Sequence, residues 1–244
     1  MKIIAIIPAR YESTRLPHKL LSDINGKSII QRVYQQAKKS ALFDEVVVAT
    51  DHQKIYDHCI SLGIEVEMTS VEHTTGTDRI AEVALRRTAD IVINIQGDEP
   101  FIEIESLRRL VDLLRNEKVR IGTLYKKIKA PDILFDFNTV KLTKAKNGKV
   151  LYFSRQAIPS HRDLAFKEWF EKSDYYQHLG VYGFKSKTLQ EVVNLAQSKL
   201  EFAEKLEQLR WLEYGYEIFA VEVESESFGI DTEEDLQKAR KRYK

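Results

Sequence analysis

The sequence predicts an α/β fold, a mostly parallel Rossmann-like sheet flanked by helices and carrying a smaller β-rich insertion. Three observations lead there. Short unbroken apolar runs at residues 3–7, 46–49 and 91–93 read as strands buried on both faces. The segments between them space apolar residues three to four apart, and strands alternating with such amphipathic helices imply right-handed crossovers. From about residue 119 this rhythm gives way to shorter strands around a hairpin signal.

In chain order, residues 2–7 form a first strand that opens into a loop holding Arg10, Arg15 and Lys19. Residues 28–40 put Ile29, Ile30, Val33, Tyr34 and Ala37 on one helical face. Residues 45–50 read as a second buried strand, 53–62 as a helix and 64–68 as a short strand ahead of a polar loop. Residues 77–88 are again helical, with Ile80, Ala84 and Leu85 expected to face inward. The third strong strand is 90–95, followed by a helix over 104–114. Segments 140–143 and 150–153 then flank Asn147-Gly148, a dipeptide suited to a tight hairpin turn. Residues 158–176 are charged and aromatic with little periodicity, which suits a lid or a subunit contact. A strand over 178–184, a helix over 201–214, a strand over 218–223 and a closing helix over 232–242 complete the reading. The expected organisation is one domain over 1–244 with an inserted region at about 119–176.

Composition bounds the function. Hydrophobic types make up 43% of 244 residues, enough for one large core. Lys and Arg (38) nearly cancel Asp and Glu (37), so the broad positive field of a nonspecific nucleic-acid binder is missing. Cys59 is the single cysteine, which excludes an internal disulfide and a zinc site built on several thiolates. The first residues run straight into a strand with one basic residue and no small-residue cleavage site, and no segment approaches the roughly 18 apolar residues of a spanning helix. A cytoplasmic protein without membrane insertion is the expectation.

Three cations within residues 10–19 directly after a buried strand suit a polyphosphate, because open α/β sheets place ligands at the carboxyl ends of their strands. Arg forks onto phosphate oxygens and Lys acts as a compact charge. The loop is neither a Walker loop nor a Gly-x-Gly-x-x-Gly turn. Asp98, in Gln96-Gly97-Asp98-Glu99-Pro100, follows the third strand and so stands at the same edge of the sheet. A carboxylate beside phosphate is a natural magnesium ligand, although an Asp after Gly also suits a simple turn. Thr232 and Asp235 fit a capping box, whereas Asp231 reads equally as decoration of the helix dipole or as a second metal ligand. The turn from Thr74 to Arg79 could hold a base or a phosphate, with Arg79 reaching back. Taken alone, His178 reads sooner as a packed imidazole than as a substrate donor, and Glu207, Gln208 and Arg210 as the polar side of a helix.

Taken together, these segments resemble the sugar-nucleotide cytidylyltransferases, and among them the 3-deoxy-manno-octulosonate (Kdo) cytidylyltransferases. The motifs that carry the likeness run in order along nearly the whole chain: 7–17 (Ile-Pro-Ala-Arg-Tyr-x-Ser-Thr-Arg-Leu-Pro), Ala-Thr-Asp at 49–51, Thr-Gly-Thr-Asp-Arg at 75–79 and Gln-Gly-Asp-Glu-Pro at 96–100. Leu-Tyr-Phe-Ser-Arg at 151–155, His-Leu-Gly-Val-Tyr-Gly at 178–183, Leu-Glu-Gln-Leu-Arg at 206–210 and Gly-Ile-Asp-Thr-x-Glu-Asp-Leu at 229–236 follow.

The resemblance implies a nucleotidyltransferase fold and transfer of CMP from CTP to the anomeric hydroxyl of Kdo, with pyrophosphate released, for lipopolysaccharide assembly. It implies that Arg10 and Lys19 hold the triphosphate, with Ser13 and Arg15 in the same loop. By the same carry-over Pro8, Ala9, Thr75 and Arg79 line the cytidine site, and Asp98 and Asp231 hold magnesium (Mg2+). Gln96, His178, Tyr182, Glu207 and Gln208 would face the sugar acid, and two copies of the chain would pair through the segment after residue 119. An amino-substituted Kdo or a sialic-type acid would alter only the acceptor pocket. A noncatalytic nucleotide-binding subunit would be betrayed by loss of Asp98 or Asp231, and both are present. One departure stands out: the family usually reads Pro-Gly-Lys where this chain has Pro17-His18-Lys19. Either His18 contributes to the site or the turn has ordinary dihedrals.

Overall fold

The computed structural model describes every residue except Thr14, Ser227 and Lys244. The chain opens with β1 (Ile3–Ala9), a 3-10 turn at Lys19–Leu21, and a small hairpin of β2 (Asp23–Ile24) and β3 (Lys27–Ser28). Next come α1 (Ile29–Lys39), β4 (Glu45–Thr50), α2 (Gln53–Ser61), β5 (Val66–Met68), α3 (Gly76–Arg86), β6 (Ile91–Asn94) and α4 (Ile104–Arg115). The second half runs through β7 (Ile121–Lys127), α5 (Pro131–Phe135), β8 (Lys141–Lys144), β9 (Val150–Ser154), α6 (Trp169–Lys172) and β10 (Tyr176–Lys185). It closes with α7 (Ser186–Val192), α8 (Lys199–Glu204), α9 (Glu207–Glu213), β11 (Ile218–Glu222) and α10 (Glu233–Arg242).

The main sheet is ordered β11-β7-β10-β6-β1-β4-β5, with the β8–β9 hairpin attached at the start of β10. β1 pairs in parallel with β4 and β6, β4 with β5, and β7 with β11, whereas β10 runs against both β6 and β7. Helices cover both faces, and β1 shows why its run is unbroken. Ile3, Ala5, Ile7 and Ala9 join one core cluster with α1, α2, α4 and α10, while Ile4 and Ile6 point into a second with α3, α7 and α9. Successive strand side chains alternate faces, so a strand covered twice must be apolar throughout.

The capping box expected at the closing helix is present, and α3 has a second one that the sequence reading did not single out. Thr75 at α3 and Thr232 at α10 each accept from the backbone N–H three residues on, and Asp78 and Asp235 return the bond. Four expectations change. Leu85 is 70% exposed, because the buried face of α3 is set by Ile80, Ala81, Val83 and Ala84 and the next residue rotates about 100° outward. The helix expected over 201–214 breaks into α8 and α9 at Lys205, whose φ of 53° lies in the left-handed region. α7 had no counterpart in the sequence reading. The boundary expected near residue 119 falls inside the main sheet, since β7 is flanked there by β10 and β11. Only after Lys127 does a separate small cluster form, from Ile128, Leu134, Ala157, Trp169 and Tyr175.

Candidate active site

The carboxyl ends of β1 and β6 lie side by side and open a cleft of about 500 Å³. Its walls include Pro8, Arg10, Glu12, Ser13, Arg15, Lys19, Thr75, Gln96, Asp98 and Asp231. Gly97 makes the approach of the two strand ends possible. A Cβ there would sit 2.7 Å from the Pro8 carbonyl oxygen, closer than carbon and oxygen can pack. Asp98 is thereby carried to the end of β1, and its carbonyl accepts from the Ile230 N–H at 3.0 Å, which brings Asp231 alongside.

Lys19 is the meeting point. Its Nζ donates to Asp98 Oδ2 at 2.5 Å and to Asp231 Oδ1 at 3.0 Å, and Arg15 Nη2 lies 3.0 Å from the same Asp231 oxygen. The Lys19 side chain is 12% exposed, pinned by its buried neighbour Leu20, while Arg15 stays in solvent. Across the cleft, Arg10 donates to the Thr74 carbonyl and so joins the first loop to the entry of α3. Thr75 and Gly76 line the cleft at that helix start, where backbone N–H groups carry partial positive charge.

Two of the residues expected at the cytidine site lie elsewhere. The Ala9 side chain is in the core. The Arg79 side chain is fully buried and turned away from the cleft, donating to Thr69 Oγ1 and Asp51 Oδ2, each at 2.6 Å. Burial of a guanidinium demands a carboxylate partner, so Arg79 acts as a strut between α3 and the ends of β4 and β5. Glu12 and Gly97, neither singled out as a binding residue, do line the cleft, as does Thr74 from the turn read as able to hold a base or a phosphate.

Behind the Gln96 wall the expected sugar-acid residues form a second, enclosed group. Gln96 Nε2 donates to the Gly180 carbonyl at 3.0 Å, an oxygen in the irregular stretch of β10 where its register with β7 shifts between Leu179 and Tyr182. Thr123 Oγ1 donates to Val181 O at 2.8 Å, so at 3.0 Å it accepts from His178 Nε2–H. The His178 ring lies 5.3 Å from that of Tyr182, which meets Trp211 edge-on at 5.1 Å. Tyr182 Oη and Trp211 Nε1 are buried polar atoms with no hydrogen-bond partner among the described residues. Glu207 accepts from Thr77 Oγ1 at 2.7 Å at the head of α3, and Gln208 is buried beside it on α9.

The model of the family described as Cytidylyltransferase matches residues 4–219. A 3-deoxy-manno-octulosonate cytidylyltransferase of Parabacteroides distasonis is 44% identical over 245 residues, with 98% of this chain and 97% of that protein covered. One of Thermodesulfovibrio yellowstonii is 46% identical over 249 residues, with 99% and 98% covered. A solved CMP:2-keto-3-deoxy-manno-octonic acid synthetase complexed with CTP superposes with a TM-score of 0.93 at 38% identity, covering 100% of this chain and 98% of its own. The chain belongs to the 3-deoxy-manno-octulosonate cytidylyltransferases.

Electrostatics separates the two halves of this cytidylyltransferase site. Burial works against the Lys19 charge, but Asp98 and then Asp231 outweigh it and hold the ammonium above its ordinary pKa. Glu99, next to Asp98, is pushed up to about 8, by burial first and then by the charge of Asp98, with Asp231 adding to it and Lys126 opposing. In the enclosed half, burial pushes the His178 imidazole down to about 3 and the Tyr182 phenol well above its usual value. Glu207 is raised by burial, against the pull of Thr77 and Arg210. The carboxylates of the cleft favour the Lys19 charge, whereas burial disfavours charge on His178, Tyr182 and Glu207.

Among the described residues no group of three or more His, Cys, Asp or Glu side chains is arranged to hold a metal ion. Two carboxylates do converge on one cationic atom, and magnesium takes one or two carboxylates, completing its shell from phosphate and water. The donor set of this cytidylyltransferase therefore fits a cation shared with a polyphosphate, and the Lys19 ammonium occupies the corresponding position of positive charge.

Proposed function

We propose that this cytidylyltransferase moves CMP from CTP to the anomeric hydroxyl of Kdo, and that it does so with magnesium held by Asp98 and Asp231. The hydroxyl oxygen forms a new bond to the α-phosphorus as its proton is given up to water, the bond from that phosphorus to the α,β-bridging oxygen breaks, and pyrophosphate leaves with that oxygen and its electron pair. No protein nucleophile is required; Cys59 is buried in the core, and its thiol is pushed up to about 12 by burial. Arg10, Arg15 and Lys19 supply positive charge along one wall, and the start of α3 supplies backbone donors on the other. When bound, magnesium would supply further positive charge to phosphate oxygens during an in-line displacement. The buried, neutral donors around Gln96 suit a polyhydroxylated acid, because unsatisfied hydrogen-bonding groups select a partner that completes them.

The convergence of Asp98 and Asp231 on Lys19, with Arg15 on the same Asp231 oxygen, carries the reading, since it places paired carboxylates beside a cationic wall at the carboxyl ends of the strands. The finer assignments belong to the same proposal: cytoplasmic synthesis for lipopolysaccharide assembly, and two copies pairing through the segment that follows β7. Phe137 and Phe166, 59% and 58% exposed on that segment, support the pairing. Among the described residues no helix is long and apolar enough to cross a membrane.

The test is pyrophosphate release from CTP with and without magnesium, using Kdo and its 8-amino analogue as parallel acceptors and a control without acceptor. Magnesium-dependent release with Kdo is expected. Preference for the amino analogue would change the acceptor and keep the chemistry, and release with neither would overturn the assignment. Light scattering that finds a stable monomer would refute the pairing.

A further inference from the structure

His18, the departure from the family pattern, turns out to sit in the left-handed region, with φ 55° and ψ 29°. The turn therefore keeps the conformation that glycine favours, while carrying a side chain that disfavours it. Something must hold it there, because the next residue is Lys19. The His18 ring stacks on Tyr11, with centroids 4.1 Å apart and planes inclined by 27°. Tyr11 in turn stacks on His52, at 3.8 Å and 10°. His52 is itself fixed as the cap of α2, its Nδ1 accepting from the Lys54 N–H at 3.2 Å. The same lysine reaches over to donate from Nζ to Tyr11 Oη at 3.0 Å.

Tyr11 and His18 lie near the two ends of the loop that carries Arg15 and leads to Lys19, and His52 anchors both to the junction of β4 and α2. Tyr11 is buried, so the middle ring of the stack is fixed by its surroundings as well as by its partners. We propose that the His52–Tyr11–His18 stack is a positioning element for the triphosphate site: it holds His18 in the left-handed conformation that aims Lys19 at Asp98 and Asp231. This deepens the assignment made above and rests on it. Tyr11 and His18 act through Lys19 and need not touch substrate. In this chain the ring stack does the work that a glycine's conformational freedom does in the usual family turn.

The experiment compares the full chain with Tyr11→Leu, Tyr11→Phe and the double variant Tyr11→Leu/His18→Gly, measuring CTP kinetics at saturating Kdo and histidine ring signals by NMR without substrate. Tyr11→Leu should raise KM for CTP roughly tenfold, the scale of a lost aromatic stack, with kcat within about twofold. Tyr11→Phe keeps the rings and should stay within about twofold of the parent chain. The double variant should recover KM, because glycine takes the positive φ unaided. A merely structural loss at Tyr11 would persist in the double variant and overturn the proposal, as would an unchanged KM in Tyr11→Leu. The NMR signals separate this failure from that of the reaction assignment. Ring-shifted His18 and His52 signals that disappear in Tyr11→Leu, in a protein that binds CTP without turnover, would keep the stack and sink the reaction. Turnover with unshifted histidine signals would sink the stack.

Discussion

On one side of the site, Arg15, Lys19, Asp98 and Asp231 form an ion-paired cluster in an open cleft. On the other, His178 and Tyr182 are enclosed and biased toward uncharged forms, with the half-buried Glu207 raised in the same direction beside them. Both groups are polar, yet they solve different problems. Charges left partly in water keep their ionisation and can exchange a side-chain partner for a ligand of the same sign. Enclosed groups cannot afford a net charge, so they recognise by shape and hydrogen bonding. Perturbing the open cluster should therefore strike the rate and spare the fold, and perturbing the enclosed group should strike both.

The largest effect that sharpens this contrast is expected at the paired carboxylates. Asp98→Asn and Asp231→Asn should each lower turnover about a thousandfold, as when charge stabilisation of a phosphoryl transition state is removed. Melting should barely move, because partly exposed ion pairs contribute little to stability. Pyrophosphate release and a thermal melt on the same preparation check both halves, and full activity in either variant would remove that residue from the metal site.

Gly97→Ala probes the scaffold between the two groups. The added methyl would press on the Pro8 carbonyl at 2.7 Å and on Leu20 at 3.3 Å, so the strand ends must part. A loss of about 1–3 kcal/mol in denaturant unfolding is expected, together with a rate loss of roughly tenfold or more as Asp98 shifts from Lys19. Unchanged stability and rate would mean that the strand ends have slack.

How much of this was legible in the sequence follows from locality. Arg10 and Asp98 could be read directly, because each lies three residues past an expected apolar strand, and Arg15 and Lys19 because they share the loop that the first strand opens into; the carboxyl edge of a parallel sheet is fixed by such strands. Asp231 could not be settled by its own neighbours, since its place beside Asp98 depends on the Ile230 N–H meeting the Asp98 carbonyl across 132 residues of chain. Polar periodicity misjudged Gln208 and Arg210, which are buried although they share a helix turn with Leu209. A buried Arg210 is made possible by Glu201, 3.0 Å away on the preceding helix, and no spacing rule announces such a partner. Arg79 was misplaced for the same reason: its partners Asp51 and Thr69 lie on other strands' ends. Motif resemblance gathered the enclosed residues where local physics could not.

The enclosed group offers a pH test of intermediate size. His178 titrates near 6.5 when unfolded and near 3 when folded, so the native state binds the proton less well. Its contribution to stability is therefore complete above pH 6.5 and is lost as the pH falls towards 3, at up to about 1.4 kcal/mol per pH unit. His178→Gln should be less stable at pH 7 and show a shallower decline between pH 6.5 and 4 in thermal melts. An acid decline as steep as that of the parent chain would place the titrating group elsewhere.

The smallest effect is expected where the chain departs from its family. His18→Gly removes the side chain but keeps the positive φ that the turn requires, and Lys19 retains both of its carboxylate partners. If the open cluster does its work through charges already fixed at Asp98 and Asp231, the maximum rate should stay within about tenfold, or ~1.4 kcal/mol in the barrier. Steady-state turnover with saturating CTP and Kdo decides it. A much larger loss would show that the His18 imidazole joins the chemistry, and the open side of the cleft would then depend, like the enclosed side, on a specific hydrogen-bonding side chain as well as on its charges.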